Sequence, residues 1–142
     1  MISENEDGAL ILGLHRATHA TLTALQARLA DLDLTASEVN ALAILASGQP
    51  LSIGELAAAA ATKPTTLTSV LDRLVRRDLA ARELDPADRR SFLVSLTDQG
   101  RPAADRARAA MRDIEDTAMA AVSDADMAGF RNVTRAIMEA SR

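Results

Sequence analysis

Two guanidiniums, Arg89 and Arg90, close the run Asp85-Pro86-Ala87-Asp88-Arg89-Arg90. A guanidinium is permanently charged and planar and enters narrow minor grooves well, so a pair raised on a turn suits a polyanion. Pro86 presets φ for a turn and the aspartates accept nearby backbone N–H groups, which predicts a chain reversal here. Taken alone, the stretch is equally compatible with a solvated charged loop. Upstream, Lys63, Thr65, Thr66, Thr68, Ser69, Arg73 and Arg76 form a second polar set. Hydroxyls and backbone N–H groups at a helix start can hold phosphates or reach base edges, and arginines can read guanine or neutralise phosphates.

The elements that must position these residues follow from local signals. Phe92, Val94 and Leu96 alternate with Leu93, Ser95 and Thr97, predicting a strand, and Ala80 to Leu84 is its expected antiparallel partner. That pairing puts Asp88, Arg89 and Arg90 at the tip of a hairpin. Ser52-Ile53-Gly54-Glu55 has the spacing of a capping box and predicts a short helix from about Gly54 to Ala61. Thr62-Lys63-Pro64 signals a second start, because proline is tolerated in a first helical turn, and this helix should run to about Asp78. Leu67, Val70, Leu71 and Leu74 make its apolar face, while Thr65, Ser69, Asp72, Arg73 and Arg76 lie opposite. A helix, a turn, a second helix with a polar outer face and an arginine-tipped hairpin together read as a winged helix-turn-helix.

At these residues the chain resembles the MarR family of bacterial transcriptional regulators. The resemblance is carried by Leu56-Ala57, by Leu67 to Leu74, and above all by Asp88-Arg89-Arg90 followed by Leu96-Thr97-Asp98-Gln99-Gly100. The last run is similar to the family's wing signature, Asp-x-Arg and then Leu-Thr-x-x-Gly at the start of the next helix. The resemblance implies a winged-helix homodimer that binds a pseudopalindromic operator in double-stranded DNA and is released by a small organic effector. It implies that Arg90 is the minor-groove arginine and that Asp88 holds it in place. One departure is Asp78, where the family usually closes the recognition helix with glycine; aspartate tolerates left-handed backbone better than most residues.

Around this centre the sequence reads as helix. Residues 8 to 30 carry Ile11, Leu22, Leu25 and Leu29 at helical spacing, and Thr35-Ala36-Ser37-Glu38 is a second capping box, starting a helix that Gly48 and Pro50 end. From Thr97 a long alanine-rich helix carries Ala104, Ala107, Met111, Ile114 and Ala118 on one stripe. Ser123 caps a last helix on which Met127, Phe130, Val133 and Ile137 face one way. The expected fold is mainly α with a small β-hairpin in one domain over residues 1–142. About 35–101 would form the winged helix-turn-helix, and about 8–30 and 98–140 the dimerisation helices. The alternative for the terminal helices is that they complete the monomer core.

Charge is uneven along the 142 residues. The net charge is −4, yet residues 62 to 90 hold seven basic side chains against five acidic ones, the only positive section of the chain. A local footprint matters more for DNA than the global sum. With no cysteine, disulfides and thiolate metal ligands are excluded. The start, Met1 to Asp7, is acidic rather than a basic leader, and no apolar run approaches a membrane span, so a cytoplasmic location is expected. No glycine-rich phosphate loop, nucleophile elbow or paired-carboxylate motif is found, so neither catalysis nor a cofactor is expected. His15 and His19, four apart on one helical face with Thr18 between them, admit three readings. They could be two metal ligands, ordinary helix histidines, or the border of an effector crevice; the last is the expectation carried forward, with no metal site. A protein-interaction module without an operator is the alternative function, which the salt dependence of binding distinguishes from DNA recognition.

Overall fold

The protein, described from a computed structural model over residues 10–141, is six helices around a three-stranded antiparallel sheet. Helix α1 (Leu10–Leu29) ends in a short 3-10 turn, Ala30–Leu32, and α2 (Ala36–Leu45) follows. Strand β1 (Leu51–Ser52) leads into α3 (Ile53–Ala59), which is joined by a tight turn to α4 (Pro64–Arg76). Strands β2 (Ala80–Leu84) and β3 (Phe92–Leu96) form the hairpin, and α5 (Gly100–Met119) and α6 (Asp124–Ala140) complete the chain. The expected helix start at residue 8 lies outside the described residues.

Local chemistry sets these boundaries. Both capping boxes form: Thr35 and Ser52 each accept a bond from the backbone N–H three residues on, and Glu38 and Glu55 reach back to the cap residue's own N–H. Helix α4 begins on Pro64 and stops in a Schellman arrangement, with Leu79 N–H bonded to Leu74 carbonyl at 2.9 Å and Asp78 N–H to Val75 carbonyl at 3.0 Å. Asp78 takes the left-handed conformation, φ 56°, that glycine would otherwise supply. Helix α3 ends the same way at Ala61, φ 49°, two residues short of the expected end because that reversal is the turn of the helix-turn-helix.

The core lies between α2, α3, α4, the sheet and the start of α5. Leu42, Leu45, Leu56, Leu67, Leu71, Leu74 and Val94 are fully buried there, each worth roughly 1.5 to 3 kcal/mol of transfer free energy. A second, smaller cluster joins α1 to α5 through Leu29, Val39, Ala107 and Ala110. Two ion pairs cross the same seam, Arg28 with Asp113 at 3.0 Å and Arg106 with Asp31 at 2.6 Å. The Arg106 guanidinium, bonded to both Asp31 oxygens, holds that carboxyl below the usual range. This pair therefore contributes at neutral pH and fades only as pH falls through the lowered value.

The sheet differs from expectation in one strand. Its order is β1-β3-β2, with Leu51 opposite Val94 and Ser52 opposite Leu93. Two residues after Pro50 carry no period, so β1 is silent in the sequence. Strand β2 pairs β3 from Ala80 opposite Leu96 to Leu84 opposite Phe92, as expected.

The Leu-Thr-x-x-Gly run closes this arrangement. Thr97 N–H donates to the Leu79 carbonyl and its hydroxyl to the Asp78 carbonyl, while Gly100 N–H donates to the same hydroxyl. Gly100 is required because a Cβ there would lie 1.8 Å from the Leu79 carbonyl oxygen. We predict that Gly100→Ala lowers unfolding stability by about 3 kcal/mol or more, since backbone must move to admit the methyl. Gly54→Ala, whose Cβ would meet only Ser52 Oγ at 3.9 Å, should change stability by less than about 1 kcal/mol and in the stabilising direction. Urea unfolding at one fixed protein concentration checks both.

Candidate nucleic-acid interface

The hairpin tip is built as two successive turns, each opened by an aspartate. Asp88 N–H donates to the Asp85 carbonyl at 3.2 Å, and Ser91 N–H to the Asp88 carbonyl at 2.9 Å. In each turn the aspartate carboxylate accepts the N–H two residues on, Ala87 to Asp85 at 2.9 Å and Arg90 to Asp88 at 3.0 Å. Ser91 hydroxyl holds the other Asp88 oxygen at 3.2 Å. Arg89 and Arg90 thus occupy the middle of the second turn, both exposed. Asp88 positions Arg90 through its backbone N–H, and Arg90 makes no ion pair among the described residues.

Helix α4 lies beside this hairpin with Leu67, Val70, Leu71 and Leu74 buried, as its apolar face requires. Thr65, Thr68, Ser69, Asp72 and Arg76 are exposed. Two hydroxyls are already donors within the helix, Thr68 to the Pro64 carbonyl and Ser69 to the Thr66 carbonyl, both at 2.9 Å. In this arrangement each presents its lone pairs outward, which suits the exocyclic amine of adenine or cytosine. Thr66 borders the crevice formed with Ser37 and Asn40 of α2.

Arg73 departs from the expectation. It turns to α2, where its Nε donates to Glu38 Oε1 at 2.6 Å. Glu38 is 3% exposed, and its other oxygen completes the α2 capping box at Thr35 N–H, 3.0 Å away. Arg77, next on that side, donates at 2.6 Å to each of the Leu32 and Asp33 carbonyls left open at the end of the 3-10 turn. From the sheet, Arg82 grips Asp72 at 2.6 Å. No spacing in the sequence links these pairs; only the capping-box glutamate was visible beforehand.

The seven cations of residues 62–90 thus divide. Arg73, Arg77 and Arg82 fasten α4 to its neighbours, whereas Lys63, Arg76, Arg89 and Arg90 make no ion pair among the described residues and are exposed. His15, Thr18 and His19 lie exposed along α1, and Thr18 hydroxyl bonds the Leu14 carbonyl. None of the three lines the larger cavities. One cavity, about 490 Å³, lies between α1 and α2 against Leu22, Gln26, Leu29, Asp33 and Val39. The other, about 670 Å³, opens between α1, α5 and α6 against Leu25, Met111, Ile114, Met127 and Phe130. Both cavities lie further along α1 than His15, and the stripe that His15 interrupts is open to solvent at that end, where Ile11 is exposed. Among the described residues no group of three or more acidic or histidine side chains gathers in metal-binding geometry.

A helix-turn-helix whose second helix is flanked by an arginine-tipped hairpin defines the winged-helix class. The sequence model of the MarR family matches residues 34–92. The chain is 26% identical over 126 residues to the HTH-type transcriptional repressor NicR of Pseudomonas putida, covering 89% of this chain and 80% of that protein. Among solved structures it is similar to a MarR family transcriptional regulator from Silicibacter pomeroyi, with 29% identity, coverage of 91% and 87%, and a TM-score of 0.74. It is also similar to Bordetella bronchiseptica BpsR, described for regulation of its DNA binding by 6-hydroxynicotinic acid, with 27% identity, coverage of 96% and 95%, and a TM-score of 0.76. Residues 34–92 therefore match the MarR family by sequence, and the whole chain shares the winged-helix fold of solved MarR family regulators.

The division of cations predicts opposite phenotypes on one helix. Arg73→Ala leaves the buried Glu38 carboxylate without its main partner and should cost about 2 kcal/mol of stability, the half-exposed arginine moderating the usual penalty. Arg76→Ala should stay within about 0.5 kcal/mol of wild type, as surface substitutions do. Thermal or urea unfolding of the two variants side by side checks the contrast.

Proposed function

We propose that the protein is a homodimeric, non-enzymatic repressor that occupies a pseudopalindromic DNA operator in the cytoplasm and releases it on binding a small organic molecule. The observation that carries the reading is the concentration of uncompensated cations on α4 and the hairpin tip, Lys63, Arg76, Arg89 and Arg90, in a chain whose net charge is −4. Rigid mounting supports it, since the three remaining cations of that section tie α4 to α2, to the α1–α2 corner and to β2. In this reading α4 enters the major groove with Thr65, Thr68 and Ser69 toward base edges and Arg76 toward phosphate, and the hairpin places Arg89 and Arg90 in the flanking minor groove. Arg73 serves as a positioning residue. Among the described residues no helix is long and apolar enough to cross a membrane.

A second copy is called for by the terminal helices. Helix α6 buries none of its residues, and Phe130 is 62% exposed, with Val133, Met138 and, on α1, Leu10, Ile11 and Leu12 also open. Covering these against the same surfaces of a partner would give a two-fold dimer with two α4 helices for two half-sites. The effector would enter the cavity between α1 and α2, where apolar walls meet Thr23, Gln26 and Asp33. A ligand favouring one spacing of the two α4 helices would loosen DNA by its differential affinity. The repressor NicR and the ligand-regulated BpsR are consistent with this reading.

Arg90→Ala should weaken binding to a duplex selected on the protein from a random-sequence pool by about 1 to 3 kcal/mol per half-site, with the dimer intact. Fluorescence anisotropy and sedimentation of the same sample check it; wild-type affinity in an unchanged dimer would sink the hairpin's role.

A further inference from the structure

Leu84 and Phe92 face each other across the last rung of the hairpin, 56% and 44% exposed. They share a sheet face with the pairs Arg82–Val94 and Ala80–Leu96, because side chains two apart along a strand point the same way. Val94 and Ala80 on that face are buried in the core, so Leu84 and Phe92 continue the core face past the point where the core ends. Arg82, one rung inward, reaches Asp72 and the Thr68 carbonyl of α4. The apolar pair therefore lies beside the outer face of α4, between that helix and the Arg89–Arg90 tip. Isolated exposed apolar residues are ordinary, but this is a directly opposed pair of large ones. It also holds one of the only two aromatic side chains in the chain.

We infer that Leu84 and Phe92 are a deoxyribose-contacting surface, a part of the DNA interface that works without charge. The inference rests on the operator-binding reading above. If α4 occupies a major groove and the hairpin tip the adjacent minor groove, one sugar-phosphate ridge must run between them. Sugars present C–H faces on that ridge and phosphates present charge. The protein meets the charge with Arg76, Arg89 and Arg90, which make no ion pair among the described residues. It meets the C–H faces with Leu84 and Phe92. Continuity with the cationic surface on both sides selects DNA as the occupant over a second copy of the chain or an apolar peptide.

The chain has no tryptophan or tyrosine, so Phe92→Trp makes a single-fluorophore protein that reports on this position alone. With the pool-selected duplex at saturation, judged by anisotropy of the labelled DNA, we expect blue-shifted tryptophan emission and at least a twofold drop in acrylamide quenching. The double variant Leu84→Thr/Phe92→Thr keeps strand-forming residues and should lose about tenfold in affinity with an unchanged slope of log affinity against log salt, since no phosphate contact is removed. Unchanged emission and quenching at saturation, or wild-type affinity in the double variant, would overturn the inference and leave the operator reading standing. Should wild type retain no duplex from the pool, the operator reading itself fails and this inference falls with it.

Discussion

The close approach of Gly100 to the Leu79 carbonyl, which leaves no room for a Cβ, is the constraint that joins α4, the hairpin and α5. Leu79 ends α4 through its bond to Leu74, begins the hairpin at Ala80, and accepts the Thr97 N–H that starts α5. One short segment therefore fixes α4, the hairpin and the long helix α5 relative to one another. Thr97 supplies the hydrogen bonds and Gly100 the missing Cβ that lets the backbones touch. The start of α5 is thereby tied to the end of α4 and the first strand of the hairpin. Such coupling would carry a displacement of the terminal helices to the exposed face of α4 and the hairpin tip without a flexible joint.

Electrostatics on this small surface is organised by how each arginine is employed. Three guanidiniums are fixed to Glu38, to the Leu32 and Asp33 carbonyls, and to Asp72. The Glu38 carboxylate does double service, since one oxygen caps α2 and the other holds Arg73. A buried carboxylate is costly when unpaired, so the pair specifies one seating of α4 on α2 more than it adds stability. Among the described residues Lys63, Arg76, Arg89 and Arg90 make no ion pair.

Much of this was legible in the sequence where the signal was local. Both capping boxes, Pro64 at the start of α4, the apolar stripe from Leu67 to Leu74 and the aspartate turns of the hairpin depend on residues within a few positions of one another. The pairing of Ala80–Leu84 with Phe92–Leu96 follows from alternation and a short connection. What stayed silent was non-local or too short to have a period. Arg73 has the helical phase of an outward residue, and only its partner 35 positions away turns it inward. Strand β1 is two residues long, and its pairing is decided by β3. Phe92 read as an ordinary strand residue because alternation says which face a side chain takes and not where the core beneath that face stops. The stripe holding His15 reads as the border of an effector crevice, because helical phase alone does not show that Ile11, Leu12 and His15 are exposed on that stretch of α1.

The central claim is that the free cations of α4 and the hairpin face nucleic acid, and the salt dependence of binding tests it most directly. Lys63, Arg76, Arg89 and Arg90 in each protomer bring at most eight cations to the DNA in a dimer, so log affinity for a pool-selected duplex should fall steeply with log salt, with a slope no steeper than about −7. The guanidiniums already paired with Glu38, Asp72 and the α1–α2 corner should add nothing to it. A slope near zero would contradict the account and point to a largely apolar protein interface at this surface instead.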